Sequence, residues 1–338
     1  MKVAIVGFAG SGKSTCFRVI TQETEEKAEK LDPTKPHLGT QKVFDGRLEK
    51  LKSIFNPKRL TQAEIIFEDL PGFHIPQIKD VDSIMEVVGV FSGRNPVRDI
   101  EDIDLEFMLA DASIIDKRLH SVEKEIRQEK SREKVLEKEA LLKCKEALEK
   151  NTPLRYVEFT CEEEKSIRGF QFLSKKPLFI VGNTGETKES AEFLPALERF
   201  CKEKKLKLVE FPAKFEAEIT ELEEEEKKKF LKELGANKRA AERVIEAACG
   251  GLGYITFFTA KGDETKAWLV KRGIWAQEAA GKIHTDIERG FIKAEIINFD
   301  DLVSCGSIPE ARKKGLLKLE AKEYIIQDGD VVDFKFNV

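Results

Sequence analysis

The segment Gly7-Phe8-Ala9-Gly10-Ser11-Gly12-Lys13-Ser14 constrains the fold of this chain more than any other. It follows the apolar run Lys2–Val6 and precedes a helix-patterned stretch, Ser14–Gln22. It therefore reads as a glycine-rich turn between a buried strand and a helix. Glycines at this spacing let backbone N–H groups turn inward around an anion, at the positive end of the helix that follows. In such a turn Lys13 reaches the β- and γ-phosphates of a nucleotide and Ser14 ligates Mg2+. Gly10, Ser11, Gly12 and Thr15 complete the phosphate cradle.

The surrounding pattern suits that turn. Strands at Lys2–Val6, Ile65–Asp69 and Val87–Phe91, with helices at Ser14–Gln22 and Phe44–Phe55, predict a parallel α/β sheet. The pattern resumes with a strand at 177–181, a helix at Ala191–Glu203, a strand at Leu206–Phe211 and a helix at Lys238–Cys249. Between them, residues 113–150 carry 11 Lys/Arg, 9 Asp/Glu and no Gly or Pro. This stretch predicts two antiparallel helices turning near Arg127–Lys134, or one long solvated helix. Charged residues form 36% of the chain, against a usual share of about 25%. After Gly253 the pattern becomes β-rich: a hairpin over Tyr254–Ala260 and Thr265–Lys271, one principal helix at Trp275–Lys282, then strands at Phe291–Ile297, Leu316–Leu319 and Val331–Phe336. That order suggests a compact ubiquitin-like domain.

Composition excludes several classes. A net charge of −4 rules out a globally basic nucleic-acid binder. Six scattered cysteines without a CxxC pair predict neither a zinc ribbon nor a disulfide scaffold, and suit a reducing compartment. No signal peptide is expected, and no apolar run reaches the ~18 residues of a membrane span. A cytoplasmic monomer is the expectation.

Two further motifs bear on chemistry. Asp69-Leu70-Pro71-Gly72 ends the strand Ile65–Asp69. A carboxylate at a strand's C-terminal end lies beside the phosphate turn in such sheets. Asp69 is a candidate for holding Mg2+, and the Gly72 N–H a candidate sensor of the γ-phosphate. Asn183-Thr184-Gly185-Glu186 follows the strand at 177–181. GTPases carry Asn-Lys-x-Asp in this place, where the Asn faces the base edge and the Asp accepts from guanine. Here Glu186 replaces the Asp and the Lys is absent.

With the ending His284-Thr285-Asp286-x-Glu288-x-Gly290-Phe291-Ile292-x-Ala294-Glu295 and with 324–331, these motifs resemble the YchF-type, Obg-like P-loop ATPases over nearly the whole chain. The resemblance implies a P-loop NTPase domain in two parts, residues 1–112 and 171–252. A helical hairpin (113–170) is inserted between them, and a β-grasp TGS domain (253–338) follows. It also implies ATP preferred over GTP, with Asn183 and Glu186 at the base, and association with the ribosome or its RNA through the hairpin and the TGS domain.

The chain departs from that family at the catalytic loops. Gly10 stands where the family has Asn. Gly72 is followed at once by Phe73-His74-Ile75-Pro76, without the family's glycine-rich stretch, and the 91–96 loop is short and lacks a His. Phe73 sits where many GTPases place a water-positioning Gln, and an apolar side chain does not orient water. His74 is the candidate substitute, with Lys13 neutralising charge. The expectation is an ATP-binding switch of low turnover acting on the ribosome. The shortened loops also fit a nucleotide-gated RNA-binding module with little or no hydrolysis. A P-loop alone admits a small-molecule kinase, but the Arg-rich lid of one is not found.

Overall fold

The computed structural model describes residues 1–22, 35–70, 78, 80–91, 93–129, 131–185, 187–223, 225–227, 238–250 and 252–337. The chain divides into two compact units. One comprises residues 2–39 with 67–244, the other residue 1 with 40–66 and 245–338.

The first sheet is built from β1 (Lys2–Val6), β2 (His37–Val43), β4 (Ala63–Asp69), β5 (Ser83–Gly89), β6 (Leu178–Asn183) and β7 (Lys207–Phe211), while β3 (Arg59–Thr61) joins the second sheet. Its order is β2-β4-β1-β5-β6-β7. β5 pairs in parallel with β1 and with β6, and β6 with β7, through Ile5↔Met85, Val87↔Val181 and Val181↔Val209. Every residue of β5 and β6 is buried, as expected for central parallel strands covered on both faces. Helix α1 (Lys13–Thr21) follows β1, so the phosphate turn lies at the carboxyl end of that strand. The next helix in sequence is α2 (Arg47–Phe55).

The charged segment is a helical hairpin. Helix α3 (Pro96–Gln128) starts with Pro96 in the first turn and the Asn95 side chain accepting from Val97 N. The chain reverses, and Ser131 caps α4 (Arg132–Glu149). The single-helix alternative is thereby excluded. Asp116–Lys145, Arg118–Glu137 and Glu123–Lys138 pair across the two helices at 2.7, 2.6 and 2.9 Å. The hairpin is the continuation of a core helix. Ile100, Ile103 and Phe107 of α3 pack into the sheet core with Ile84, Val88 and Ile180. Further along, Ile115 and Leu119 pack on Ala140, Leu141 and Cys144 of α4. Asp111, at 0% exposure, anchors the returning chain: it accepts the N–H groups of Leu173 and Ser174 and the Ser174 hydroxyl at 2.7–2.9 Å. After α5 (Cys161–Ile167), the unit continues with α6 (Lys188–Glu203), α7 (Ala213–Thr220) and the start of α8 (Ala240–Gly250).

The second unit holds a mixed sheet. β8 (Tyr254–Lys261) and β9 (Glu264–Lys271) form the expected hairpin, followed by α9 (Ala276–Ile283), α10 (Thr285–Arg289), β10 (Phe291–Asn298), α11 (Phe299–Cys305), α12 (Ile308–Lys313), β11 (Lys318–Glu320) and β12 (Asp330–Phe336). The order is β11-β10-β12-β8-β9-β3, with β12 parallel to β8. First and last strands of a domain side by side and parallel give a β-grasp.

Both faces of this sheet are apolar, because adjacent β8 residues point opposite ways. Phe257 faces Ala276, Ala279 and Ala280 of α9. Phe258 faces the other side, where Leu48 and Leu51 of α2 pack with Leu302 of α11 and Ala311 of α12. The helix expected within Phe44–Phe55 thus forms, but it covers the C-terminal sheet. β3 adds an edge strand to β9 through Arg59↔Glu264 and Thr61↔Lys266. Arg47 ties α2 down by pairing with Asp45 at 2.7 Å and Asp328 at 2.9 Å. One principal helix is too little cover for two faces, so α11, α12 and α2 supply the second layer.

Candidate nucleotide site

The site begins where β1 ends. Gly7 has φ 144°, and a Cβ there would lie 2.2 Å from the Val87 carbonyl oxygen, so the turn leaves the sheet where only glycine fits. Gly12, at φ 92°, precedes α1, and a Cβ there would lie 2.1 Å from Asn183 Nδ2. No side chain caps the first turn of α1, and that turn holds no acidic residue. Its N–H groups are therefore free of a competing side-chain acceptor, which suits a bound phosphate.

Lys13 folds back along the turn and donates to the carbonyls of Gly7 at 2.5 Å and Phe8 at 3.1 Å. Burial holds its ammonium below the ordinary lysine value, opposed by the nearby Asp69 carboxylate. Asp69, 6% exposed at the end of β4, is pushed up by burial. A hydrogen bond from Ser14 and the charges of Lys13 and His37 oppose that shift. Asp69 Oδ1 and Ser11 Oγ are buried without a protein partner. Such orphans are rare in native structures, and these two lie at the phosphate turn and at the strand end beside it. The oxygen pair of Ser14 and Asp69 fits a hard divalent ion such as Mg2+. Elsewhere, no group of three or more His, Cys, Asp or Glu among the described residues is arranged to hold a metal.

Asn183 ends β6 at 4% exposure. Its Nδ2 donates to Ser11 O at 2.9 Å and its Oδ1 accepts from Ala213 N at 3.1 Å. The side chain braces the phosphate turn against the turn after β7, and both ends of its amide are engaged within the protein. Ala213, which opens α7 and is not singled out by the sequence, is brought to the phosphate turn by Asn183, and the next side chain, Lys214, is exposed. The signal available was its place directly after the last parallel strand. His37, at the start of β2, was also missed; it follows the Pro36 that ends the preceding loop.

The structure therefore brings Gly10, Ser11, Gly12, Lys13, Ser14, Thr15, Asp69 and Asn183 to one end of the first sheet. Gly72, His74 and Glu186 lie outside the described residues. His284 is a helix cap, accepting from Asp286 N at 3.2 Å at the start of α10. Trp268 is a half-buried packing residue, stacked on Phe257 and donating to Thr259. No helix among the described residues is long and apolar enough to cross a membrane.

Comparison with known proteins bears on the family and the fold. The family model YchF-GTPase_C, described as "Protein of unknown function (DUF933)", matches residues 254–337. The chain is 38% identical to the Ribosome-binding ATPase YchF of Bacillus subtilis over 365 residues, covering all of both. That span exceeds this chain's 338 residues, so the relative carries segments that this chain lacks. Identity to the Escherichia coli O157:H7 protein of the same name is 34% over 361 residues, covering 100% of this chain and 99% of the relative. The structure of the Schizosaccharomyces pombe YchF GTPase superposes with a TM-score of 0.78 at 26% identity, over 99% of this chain and 97% of the other. With a P-loop NTPase sheet, a C-terminal domain matched by its own family model and full-length relatives above 30% identity, the chain belongs to the YchF family.

Proposed function

We propose that this protein is an ATP-binding P-loop NTPase, preferring ATP to GTP, that hydrolyses slowly and works as a ribosome-associated molecular switch in the cytoplasm, as a monomer. The observation that carries the reading is the buried pair of unpartnered polar atoms, the Ser11 hydroxyl and Asp69 Oδ1, beside Lys13 and the uncapped start of α1. On binding, a triphosphate takes the place of the Gly7 and Phe8 carbonyls at the Lys13 ammonium. Ser14 and Asp69 would hold Mg2+, which when bound neutralises charge on the β- and γ-oxygens. Asn183 holds the turn in register with Ala213. Gly72 would report the γ-phosphate and His74 would position water, with Glu186 near the base.

Two observations support low turnover. Phe73 is apolar, and the 91–96 loop contains no His. The relatives' name supports ribosome association, for which the hairpin and the C-terminal domain offer surfaces. A nucleotide-gated RNA- or ribosome-binding module with little hydrolysis is the second reading, favoured by the same short loops. Single-turnover hydrolysis by wild type and His74→Ala, with and without ribosomes, separates the two. The switch reading expects turnover below about one per minute, by analogy with unassisted GTPases, and acceleration by ribosomes. Hydrolysis that stays absent with ribosomes selects the second reading, and a fast wild type indifferent to His74 places catalysis on another group.

A further inference from the structure

The first unit carries a surface that the nucleotide reading does not use. Leu105 and Leu109 of α3 are 45% and 57% exposed, one helical turn apart, and Tyr156 is 39% exposed. Leu105 and Tyr156 line a cleft of about 340 Å³, whose walls are completed by Phe200 at the end of α6 and Leu206. That volume falls at the small end of the ~300–1,000 Å³ range of ligand pockets. Apolar exposure gathered around a concavity marks an interaction site, where the same residues scattered singly do not.

The rim fixes the sign of what fits. Between Asp99 and Glu106 the chain has five carboxylates and no basic residue. Of these, Glu101, Asp102 and Asp104 line the cleft. Asp104 is held from behind by Arg155, whose side chain is only 7% exposed, at 2.7 Å. Arg155 Nη2 is left without an acceptor. Glu101 and Asp102 are exposed and make no ion pair among the described residues. Lys204 is the single basic lining residue, and its ammonium sits over the Phe200 ring at 5.9 Å. Apolar and aromatic walls under an acidic rim suit a long side chain with an aliphatic stem and a cationic head. Tyr156, over whose ring the Arg155 guanidinium already lies at 5.9 Å, contributes to the aromatic wall. The same rim repels a phosphate backbone.

We propose that the cleft between α3, the 151–156 turn and the end of α6 is a docking site for a basic amphipathic protein segment, which inserts an arginine or lysine side chain there while its apolar face covers Leu105 and Leu109. The proposal is independent of the nucleotide reading.

The test uses the full chain and fluorescence anisotropy. The probe is a labelled amphipathic peptide of leucine and arginine, and the control is its leucine–glutamate counterpart. Asp102→Lys and Leu105→Ala change exposed side chains and should melt like wild type. The expected result is that the arginine peptide binds and the glutamate peptide does not, with each variant weakening binding about tenfold, equivalent to about 1.4 kcal/mol. Glu146→Lys, an equal charge change at an exposed site on α4, should stay within twofold. Failure of the arginine peptide to bind overturns the proposal. So does an equal loss in Glu146→Lys, since general charge attraction then suffices. An unchanged affinity in Leu105→Ala removes the apolar anchor and the site with it, and competition by an oligouridylate assigns the face to nucleic acid instead.

Discussion

Gly12→Ala, read together with Asn183→Ala, tests how the phosphate turn is held. Gly12 sits at φ 92°, and its added Cβ would lie 2.1 Å from Asn183 Nδ2. The left-handed backbone alone costs an alanine about 1–2 kcal/mol. The clash must also displace the Asn183 amide, whose two ends bond Ser11 O and Ala213 N. Each of those bonds contributes about 0.5–1.5 kcal/mol. Gly12→Ala should therefore destabilise the protein by about 2–5 kcal/mol, and Asn183→Ala alone by about 1–3 kcal/mol. In the double variant the clash is gone, and alanine at position 12 adds only its backbone strain. Urea unfolding of wild type, both single variants and the double variant then yields a coupling of about 1–3 kcal/mol, with the double variant more stable than the sum of the singles predicts. Additivity to within about 0.5 kcal/mol would refute the idea that Asn183 is the brace that Gly12 must accommodate.

Other perturbations test separate links. Lys13→Ala removes the ammonium that the proposed function turns toward the phosphates. Triphosphate binding should weaken strongly while the melting temperature holds, and unchanged affinity by calorimetry would dismiss the phosphate-turn assignment. Asp69→Asn tests a buried carboxyl held above its ordinary value. The folded state then binds that proton more readily than the unfolded chain, so the group's stabilising contribution is present below the unfolded value and is lost as pH rises through the folded one. Without nucleotide, Asp69→Asn should be more stable than wild type at neutral pH and converge with it near pH 3, while Mg2+-dependent binding is lost. A neutral-pH melt below wild type would contradict this. Leu48→Ala, at a fully buried position on α2, should cost about 2–5 kcal/mol. Its hydrogen-exchange protection should fall at Phe258 and Ala267 of the second sheet, and a loss confined to α1 would misplace α2.

What the sequence disclosed depended on how local the signal was. The turn at 7–14 is contiguous and chemically unusual, so its position between β1 and α1 was legible. Asp69 and Asn183 were legible as polar residues ending apolar strands. The bonds of Asn183 were not, because Ser11 and Ala213 come to it only through the parallel order β1-β5-β6-β7. Periodicity showed that Phe44–Phe55 has an apolar face but said nothing of which sheet it covers. The hairpin was read from its charge, which rises near residue 113. Its first helix starts at Pro96 because the same helical period serves the sheet core at Phe107 and the hairpin at Ile115. Nothing in the sequence marks Asp111 out, and only its bonds to Leu173 and Ser174 reveal a buried anchor.

Calorimetric titration of the full chain with ATP, GTP and their non-hydrolysable analogues, in Mg2+ and then in EDTA, tests the central claim most directly. The account predicts saturable binding of the ATP analogue that is tighter than that of the GTP analogue and weakened when Mg2+ is withdrawn from Ser14 and Asp69. No heat with either triphosphate would contradict the site, and equal or reversed affinities would contradict its base preference.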